Sequence, residues 1–273
     1  MEDEYPRCVE GLPTKKLEAK VAIITGGGYG IGRQIALAYA REGASLVLAA
    51  RTPGPLEEAR TEAEKLGARM LVVRTDVSRE SDCSHLIADT VKNFGRVDIL
   101  VNNAGIAGPT KWATEMTLSE WQEVLDINIT GAWLASRAAI PVMVNQGEGV
   151  ILMISSGAGR RGYPLRSPYA ASKWAMIGLT QTLALEWGSN GIRVNCICPG
   201  AVEGDRIERV IRARAEAMSL PYEQVKKGFT STAALQRMVT EDEIARVALF
   251  LASDLATGVT GQTINVDAGN VMN

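Results

Sequence analysis

One histidine, three phenylalanines, four cysteines and no strong excess of either charge sign mark what this chain has little of. Lys+Arg 29 against Asp+Glu 31 gives a formal charge of -2, and no block of basic residues stands out. Nucleic-acid binding and attraction to an anionic membrane surface therefore have no electrostatic support. Nowhere do roughly 20 apolar residues run together, so no membrane span is expected. The segment Met1–Lys20 starts acidic and lacks the apolar core of a secretory signal, so a cytoplasmic protein is expected. Cys8, Cys83, Cys196 and Cys198 are not spaced like a zinc site, and no metal is expected. Cys196 and Cys198, in an apolar strand-like stretch, are expected as buried thiols on opposite faces of a sheet. The lone His85 lies in a helical stretch and reads as an exposed or capping residue.

What is present is glycine, 27 residues of it, and 46% hydrophobic residues, enough for one domain with a substantial core. Lys20–Thr25 is a short continuous apolar run, as a parallel strand covered on both faces requires. The turn from Gly26 to Gly32 follows, then a helical stretch Arg33–Glu42. Glycines between a strand and a helix permit a tight turn and let backbone N–H groups approach a pyrophosphate.

Further strands are expected at Ser45–Ala50, Met70–Thr75, Asp98–Val101, Val150–Ile154, Arg193–Ile197 and Thr263–Val266. Helical stretches alternate with them at Pro53–Leu66, Ser78–Phe94, from Thr117 onward, at Pro168–Trp187 and after Thr240. That alternation predicts an α/β fold, three-layer and doubly wound, around a parallel sheet. The second strand ends in Arg51-Thr52, where an acidic residue would bind a ribose 2′-OH; a basic residue there favours NADP over NAD. Thr117 with Glu120 and Thr240 with Glu243 have capping-box spacing. Asn128, within the helix that opens at Thr117, competes with backbone hydrogen bonding and, with Gly131 nearby, predicts a polar kink. The charged segment 203–238 has helical character and no obvious strand, and is expected to be a lid. No linker or repeat divides the chain, so residues 17–273 are read as one domain behind an N-terminal extension, residues 1–16.

Chemistry gathers at Tyr169 and Lys173. Four residues apart on a helix, they share a face, and a nearby ammonium favours phenolate, so the phenol can exchange a proton near neutral pH. Ser156 follows the strand Val150–Ile154, where a hydroxyl can hydrogen-bond a carbonyl oxygen.

Thr25-Gly-x3-Gly-x-Gly32, Asn102-Asn-Ala-Gly105, the asparagine ahead of Gly131, Ser156, Tyr169-x3-Lys173 and Pro199-Gly200 come in an order that resembles the single-domain short-chain dehydrogenase/reductase family, over about residues 17–269. The resemblance implies a seven-stranded Rossmann sheet, a nicotinamide cofactor and hydride transfer between a small-molecule alcohol and a ketone. It implies Tyr169 as general acid/base, Lys173 lowering its pKa and holding the nicotinamide ribose, Ser156 orienting the substrate, and Asn128 supporting a water-linked proton path. Cofactor contacts are implied for Gly26, Tyr29, Gly30, Ile31, Gly32, Arg51, Thr52, Asp76, Val77, Asn103, Ala104, Gly105, Pro199, Gly200 and Val202. A homotetramer is implied, with the helix that opens at Thr117 and the helix Pro168–Trp187 at an interface. The chain departs from the family pattern in Tyr29, where many NADP-using relatives have a basic residue, in Gly204, where many have threonine, and in the leader Met1–Lys16. Alternatives are a 3-oxoacyl-carrier reductase, which needs a basic docking face, and a catalytically silent dinucleotide-binding sensor. Arg160, Arg161, Arg166, Arg206 and Arg209 crowd the segments expected to wall the pocket, which would suit an anionic substrate.

Overall fold

The computed structural model describes residues 15–272. The expected extension at residues 1–16, and Cys8 with it, falls largely outside the described residues.

Seven parallel strands form one sheet in the order β3-β2-β1-β4-β5-β6-β7. They are β1 (Val21–Thr25), β2 (Ser45–Ala50), β3 (Met70–Arg74), β4 (Ile99–Asn102), β5 (Gly149–Ile154), β6 (Ile192–Pro199) and β7 (Thr263–Val266). β1, β4 and β5 are buried throughout because helices cover both faces. One face packs on α1 (Gly30–Arg41), α2 (Pro53–Lys65) and α9 (Glu241–Ala252). The other packs on α3 (Glu80–Phe94), α5 (Gly131–Gln146) and α6 (Ser167–Trp187). Along β1, Ala22 and Ile24 point to the first layer and Ile23 to the second, the alternation that a strand imposes.

The same period corrects the expectation for the cysteines. Residues two apart on a strand share a face, and Cys196 and Cys198 both lie in the layer with α6, while Ile197 faces α9. Both are buried, and His85 is exposed on α3.

The predicted elements are present, with shifted ends. α1 begins at Gly30, not Arg33, because Gly30 and Gly32 already belong to its first turn. β6 extends to Pro199, which brings the site loop directly off a strand end. Thr117 caps α4 (Leu118–Leu125) and Thr240 caps α9 through the capping boxes that the spacing indicated. Between α4 and α5 the chain does not simply kink: Asp126–Thr130 is a π-helical turn. The continuous helical run Leu118–Gln146 is, by length and composition alone, able to span a membrane, yet 56% of its most apolar stretch is buried in the fold.

Residues 203–238 form an excursion of two helices, α7 (Asp205–Met218) and α8 (Tyr222–Thr230). It carries its own small core of Ile211, Ala215, Val225 and Met238. Its two ends meet where Val202 pairs with Val239, and Glu203 N–H donates to Val239 O at 2.9 Å. The excursion is therefore a packed unit, joined to the rest of the fold at this base and again where the Ala234 and Leu235 N–H groups donate to Gly269 O and Ala268 O at 3.3 and 3.0 Å.

Candidate active site

The order of strands reverses between β1 and β4, and the crevice outside the carboxyl ends of the strands at such a switch point is where doubly wound sheets bind ligands. Thr25 ties the crevice together. Its Oγ1 accepts from the N–H groups of Asn103 and Ala104 at 3.0 Å each and donates to Val101 O at 3.2 Å. Asn103 Nδ2 in turn donates to the carbonyls of Thr25 and Gly26 at 2.9 and 3.1 Å. Asn103 thus locks the glycine turn onto the β4 loop.

At Gly26 and Gly32 that turn leaves no space for a side chain. Gly26 has φ +67° and a Cβ there would stand 3.0 Å from Ala104 Cα; a Cβ on Gly32 would collide with the Gly26 carbonyl and stand 2.5 Å from Asn103 Nδ2. Tyr29 precedes α1 in extended conformation and makes no side-chain cap, so the helix N-terminus is open to an anion. Ile31 packs against the first core layer, and Gly30 lies beside the Glu241 carboxylate, which a Cβ would approach to 3.2 Å. The open helix end and the crowded glycines fit a dinucleotide pyrophosphate; the Glu241 carboxylate beside Gly30 works against it.

At the next strand end Arg51 is exposed and Thr52 is the N-cap of α2, with no side-chain cap bond. Burial pushes the Asp76 carboxyl up, but hydrogen bonds from the Ser78 hydroxyl and N–H, together with the charges of Arg51 and Arg79, hold it below its usual range. Val77, beside Asp76, is buried where Gly131 opens α5: a Cβ on Gly131 would reach 2.7 Å from Val77 Cγ2. Pro199 ends β6, Gly200 is pressed against Asp267, and Val202 forms the base of the excursion.

The four residues expected to carry chemistry converge. The π-helical turn adds a residue to the helical repeat and turns Asn128 fully inward. Ile106 N–H donates to Asn128 Oδ1 at 2.8 Å, while Asn128 Nδ2 donates to Ile106 O and to Ser172 Oγ, both at 3.0 Å. Ser172 Oγ then donates to the Tyr169 carbonyl at 2.8 Å. Asn128 thereby fastens the β4 loop to the first turns of α6. It makes no direct bond to Lys173.

Tyr169 and Lys173 lie one turn apart on the inward face of α6. Lys173 is buried at 3% exposure, its Nζ 5.7 Å from the Tyr169 ring centroid and donating to Ile154 O at 2.7 Å. Ser155 Oγ donates to Lys173 O at 2.7 Å, and Gly159, where a Cβ would stand 2.7 Å from the same oxygen, allows the β5 loop to press on α6. Burial works against ionising the Tyr169 phenol, but Lys173, Arg206, a Ser156 hydrogen bond and Arg166 overcome it and hold the pKa below its usual value. Burial likewise lowers the Lys173 pKa, opposed by the partial charge of Tyr169. Ser156 accepts from Ala158 N–H at 3.2 Å at the start of the loop after β5.

Of the arginines singled out in the sequence, Arg166 and Arg206 act on Tyr169. Arg161 acts on Tyr163, and Arg160 lies near Cys198 with its Nε buried and unbonded. Arg209 is exposed on α7. Sequence reasoning missed Arg214, whose guanidinium lies 5.7 Å from the Tyr163 ring centroid, and Ser172, the link between Asn128 and Tyr169. Among the described residues no cluster of three His, Cys, Asp or Glu side chains is placed to hold a metal ion.

Comparison with known proteins adds three findings. Residues 26–270 match the family model described as enoyl-(acyl carrier protein) reductase. An uncharacterized oxidoreductase of Thermotoga maritima is 37% identical over 93% of this chain and 98% of its own length, and the short chain dehydrogenase/reductase astE of Aspergillus oryzae is 38% identical over 93% and 95%. Among solved structures, levodione reductase is similar with a TM-score of 0.88 at 33% identity, covering 93% of this chain and 98% of that one. NAD+-bound xylitol dehydrogenase is similar with a TM-score of 0.91 at 31% identity, covering 93% and 100%.

Proposed function

Since the chain belongs to the short-chain dehydrogenase/reductase family, whose members are oxidoreductases that bind a nicotinamide dinucleotide, we propose that it interconverts a secondary alcohol and a ketone with Tyr169 as the acid/base. The single observation that carries this reading is the buried Lys173 ammonium beside a Tyr169 phenol held below its usual pKa. When bound, the dinucleotide supplies or accepts the hydride.

The chain's own residues do the rest. Gly26, Gly30 and Gly32 leave the α1 N-terminus accessible to the pyrophosphate, Asn103 keeps the β4 loop in register with that turn, and Ala104 and Gly105 clear the nicotinamide side of the crevice. Tyr29, Ile31, Thr52, Asp76, Val77, Pro199, Gly200 and Val202 line the remainder of the cofactor path. Ser156 holds the substrate oxygen, and Tyr169 gives its proton to a forming alkoxide or takes one from an alcohol. Lys173 stabilises the phenolate form and holds the nicotinamide ribose. Asn128 fixes the loop beside Lys173 and supports a water-linked path for the proton.

Arg51 at the end of β2 supports NADP as the preferred dinucleotide, although Tyr29 offers no second cation; the similar xylitol dehydrogenase was solved with NAD+. Residues 203–238 act as a lid over the substrate. Trp133 on α5 and Trp174 and Leu185 on α6 are exposed apolar residues on helices expected to assemble the tetramer. Light scattering giving a monomer at micromolar concentration would rule out that assembly.

A carrier-bound acyl substrate is the second reading, favoured by the description of the matching family model and by exposed Arg209 and Arg212 on α7. Assays with both dinucleotides against free ketones, secondary alcohols and 3-oxoacyl-carrier protein test the proposal. Turnover of free ketones or alcohols supports it, turnover of the carrier substrate alone favours the second reading, and dinucleotide binding without turnover favours a sensor.

A further inference from the structure

Positive charge collects around Tyr169 without a carboxylate to answer it. Arg166 is 5% exposed, and its two hydrogen bonds go to neutral acceptors, Ala107 O at 3.2 Å and Thr110 Oγ1 at 2.9 Å. Arg206, in the first turn of α7, reaches only Gly105 O, at 3.4 Å. Arg214, two turns further along α7, stacks on Tyr163, whose ring centroid is 6.5 Å from that of Tyr169. None of the ion pairs among the described residues includes Arg166, Arg206 or Arg214.

A guanidinium removed from water and left without a counter-charge is destabilising even when it is hydrogen-bonded. Here it is also repelled: burial lowers the Arg166 pKa most, and Arg206 and Arg214 lower it further, against Tyr163 and Tyr169. The backbone holds it there regardless. Leu165, directly before Arg166, sits in the left-handed region at φ +69°, uncommon for a leucine, with its carbonyl accepting from Lys111 N–H at 2.9 Å. The strained turn sets the Arg166 guanidinium against Ala107 and Thr110 of the β4 loop, close enough to Tyr169 to act on its phenol.

We infer that the substrate of this site carries an oxyanion headgroup, a carboxylate or sulfonate, which Arg166 and Arg206 clamp while Tyr169 and Ser156 meet the carbinol oxygen. The inference rests on the oxidoreductase reading above. A planar guanidinium binds such groups through paired, charge-assisted hydrogen bonds, and two arginines from different elements fix the headgroup's orientation. A carrier protein would reach exposed Arg209 and Arg212, but not Arg166, which is why a small anion fits the arrangement better. Because Arg206 lies on the excursion and Arg166 on the fixed wall, binding of the headgroup would also draw α7 toward the crevice.

Two measurements decide it. Turnover of 3-hydroxybutyrate and 2-hydroxypropane-1-sulfonate is compared with neutral 3-hydroxybutanamide in the wild type, in Arg206→Gln and in Arg166→Lys. The inference expects kcat/KM about 10- to 100-fold higher for an anionic member, with the preference lost in Arg206→Gln, whose exposed position leaves folding intact. Equal or better use of the amide overturns it. So does an unchanged preference in Arg206→Gln accompanied by weaker dinucleotide binding, which would assign the arginine to the cofactor phosphates. Loss of carrier-linked turnover in Arg209→Gln with no effect at Arg166 would overturn it in favour of a docked carrier.

The second readout needs no turnover. Methanesulfonate added to the dinucleotide complex should raise the Tyr169 pKa saturably in the wild type and not in Arg206→Gln, read by phenolate absorbance. If no panel member turns over, the alcohol–ketone reading fails separately and this titration still decides: a saturable shift supports the anion clamp, and its absence overturns it.

Discussion

The Lys173 ammonium lies 5.7 Å from the centre of the Tyr169 ring and is anchored to Ile154 O at 2.7 Å, so the charge is fixed from the sheet side, not by solvent. Lys173 is buried and Tyr169 partly so, and an interaction between charges withdrawn from water is stronger than one in it. Replacing Tyr169 with Phe removes the proton and little else. Tyr169→Phe is expected to lower turnover about 10²- to 10⁴-fold with dinucleotide affinity retained, measured by steady-state kinetics and fluorescence titration.

The pH profile should follow the charges around that phenol. A depressed Tyr169 pKa means that the phenolate needed to take a proton from an alcohol is available below the ordinary tyrosine range, and oxidation rises as pH passes through the depressed value. Removing a cation raises the pKa. Lys173→Met and, more weakly, Arg206→Ala are each expected to move the rising limb of kcat/KM for alcohol oxidation to higher pH, and a limb that stays in place in both would contradict the assignment.

Cofactor choice is testable at Arg51. Arg51→Asp should reduce kcat/KM for NADP about tenfold or more and improve the ratio in favour of NAD, because a carboxylate repels a 2′-phosphate and accepts from a ribose 2′-OH. The ratio of the two kcat/KM values is the measurement.

The Thr240–Glu243 capping box anchors α9 where the excursion rejoins the sheet: Glu243 N–H donates to Thr240 Oγ1 at 3.2 Å and Thr240 N–H donates to Glu243 Oε2 at 2.8 Å. Thr240→Ala should lower the unfolding free energy by about 1 kcal/mol in denaturant titration. The Glu243 pKa is lowered from 4.5 to about 2, by Arg237 first and the Thr240 N–H second. A depressed carboxylate stabilises above its unfolded pKa and loses that contribution as pH falls through the folded one, so the contribution of Glu243 should fade between about 4.5 and about 2. Glu243→Gln should flatten the acid limb of stability over that interval.

Much of this was legible in the sequence because the signals are local. Covered parallel strands read as unbroken apolar runs, Thr117 and Thr240 sit three residues before their glutamates, and four-residue spacing puts Tyr169 and Lys173 on one helix face. What was not legible depends on neighbours distant in the chain. Asn128 indicated a disturbed helix, but that the disturbance is a π-helical turn answering Ile106 and Ser172 follows from where the β4 loop lies. Arg166 and Arg206 stood in a crowd with Arg160, Arg161 and Arg209 until the turn at Leu165 and the path of α7 separated them. The cysteines on β6 are a different case, since a period of two already places Cys196 and Cys198 on the same face.

A tyrosine titration by ultraviolet difference absorbance is the most direct test of a buried amine keeping an aromatic hydroxyl ready to ionise. Tyr39, Tyr163 and Tyr222 have their pKa values raised, by burial for the first two and chiefly by the Glu208 hydrogen bond for Tyr222, so they ionise later. One phenol should therefore ionise early in the wild type, be missing in Tyr169→Phe and move to higher pH in Lys173→Met. An early-ionising phenol that persists in Tyr169→Phe, or one that Lys173→Met leaves in place, would contradict it.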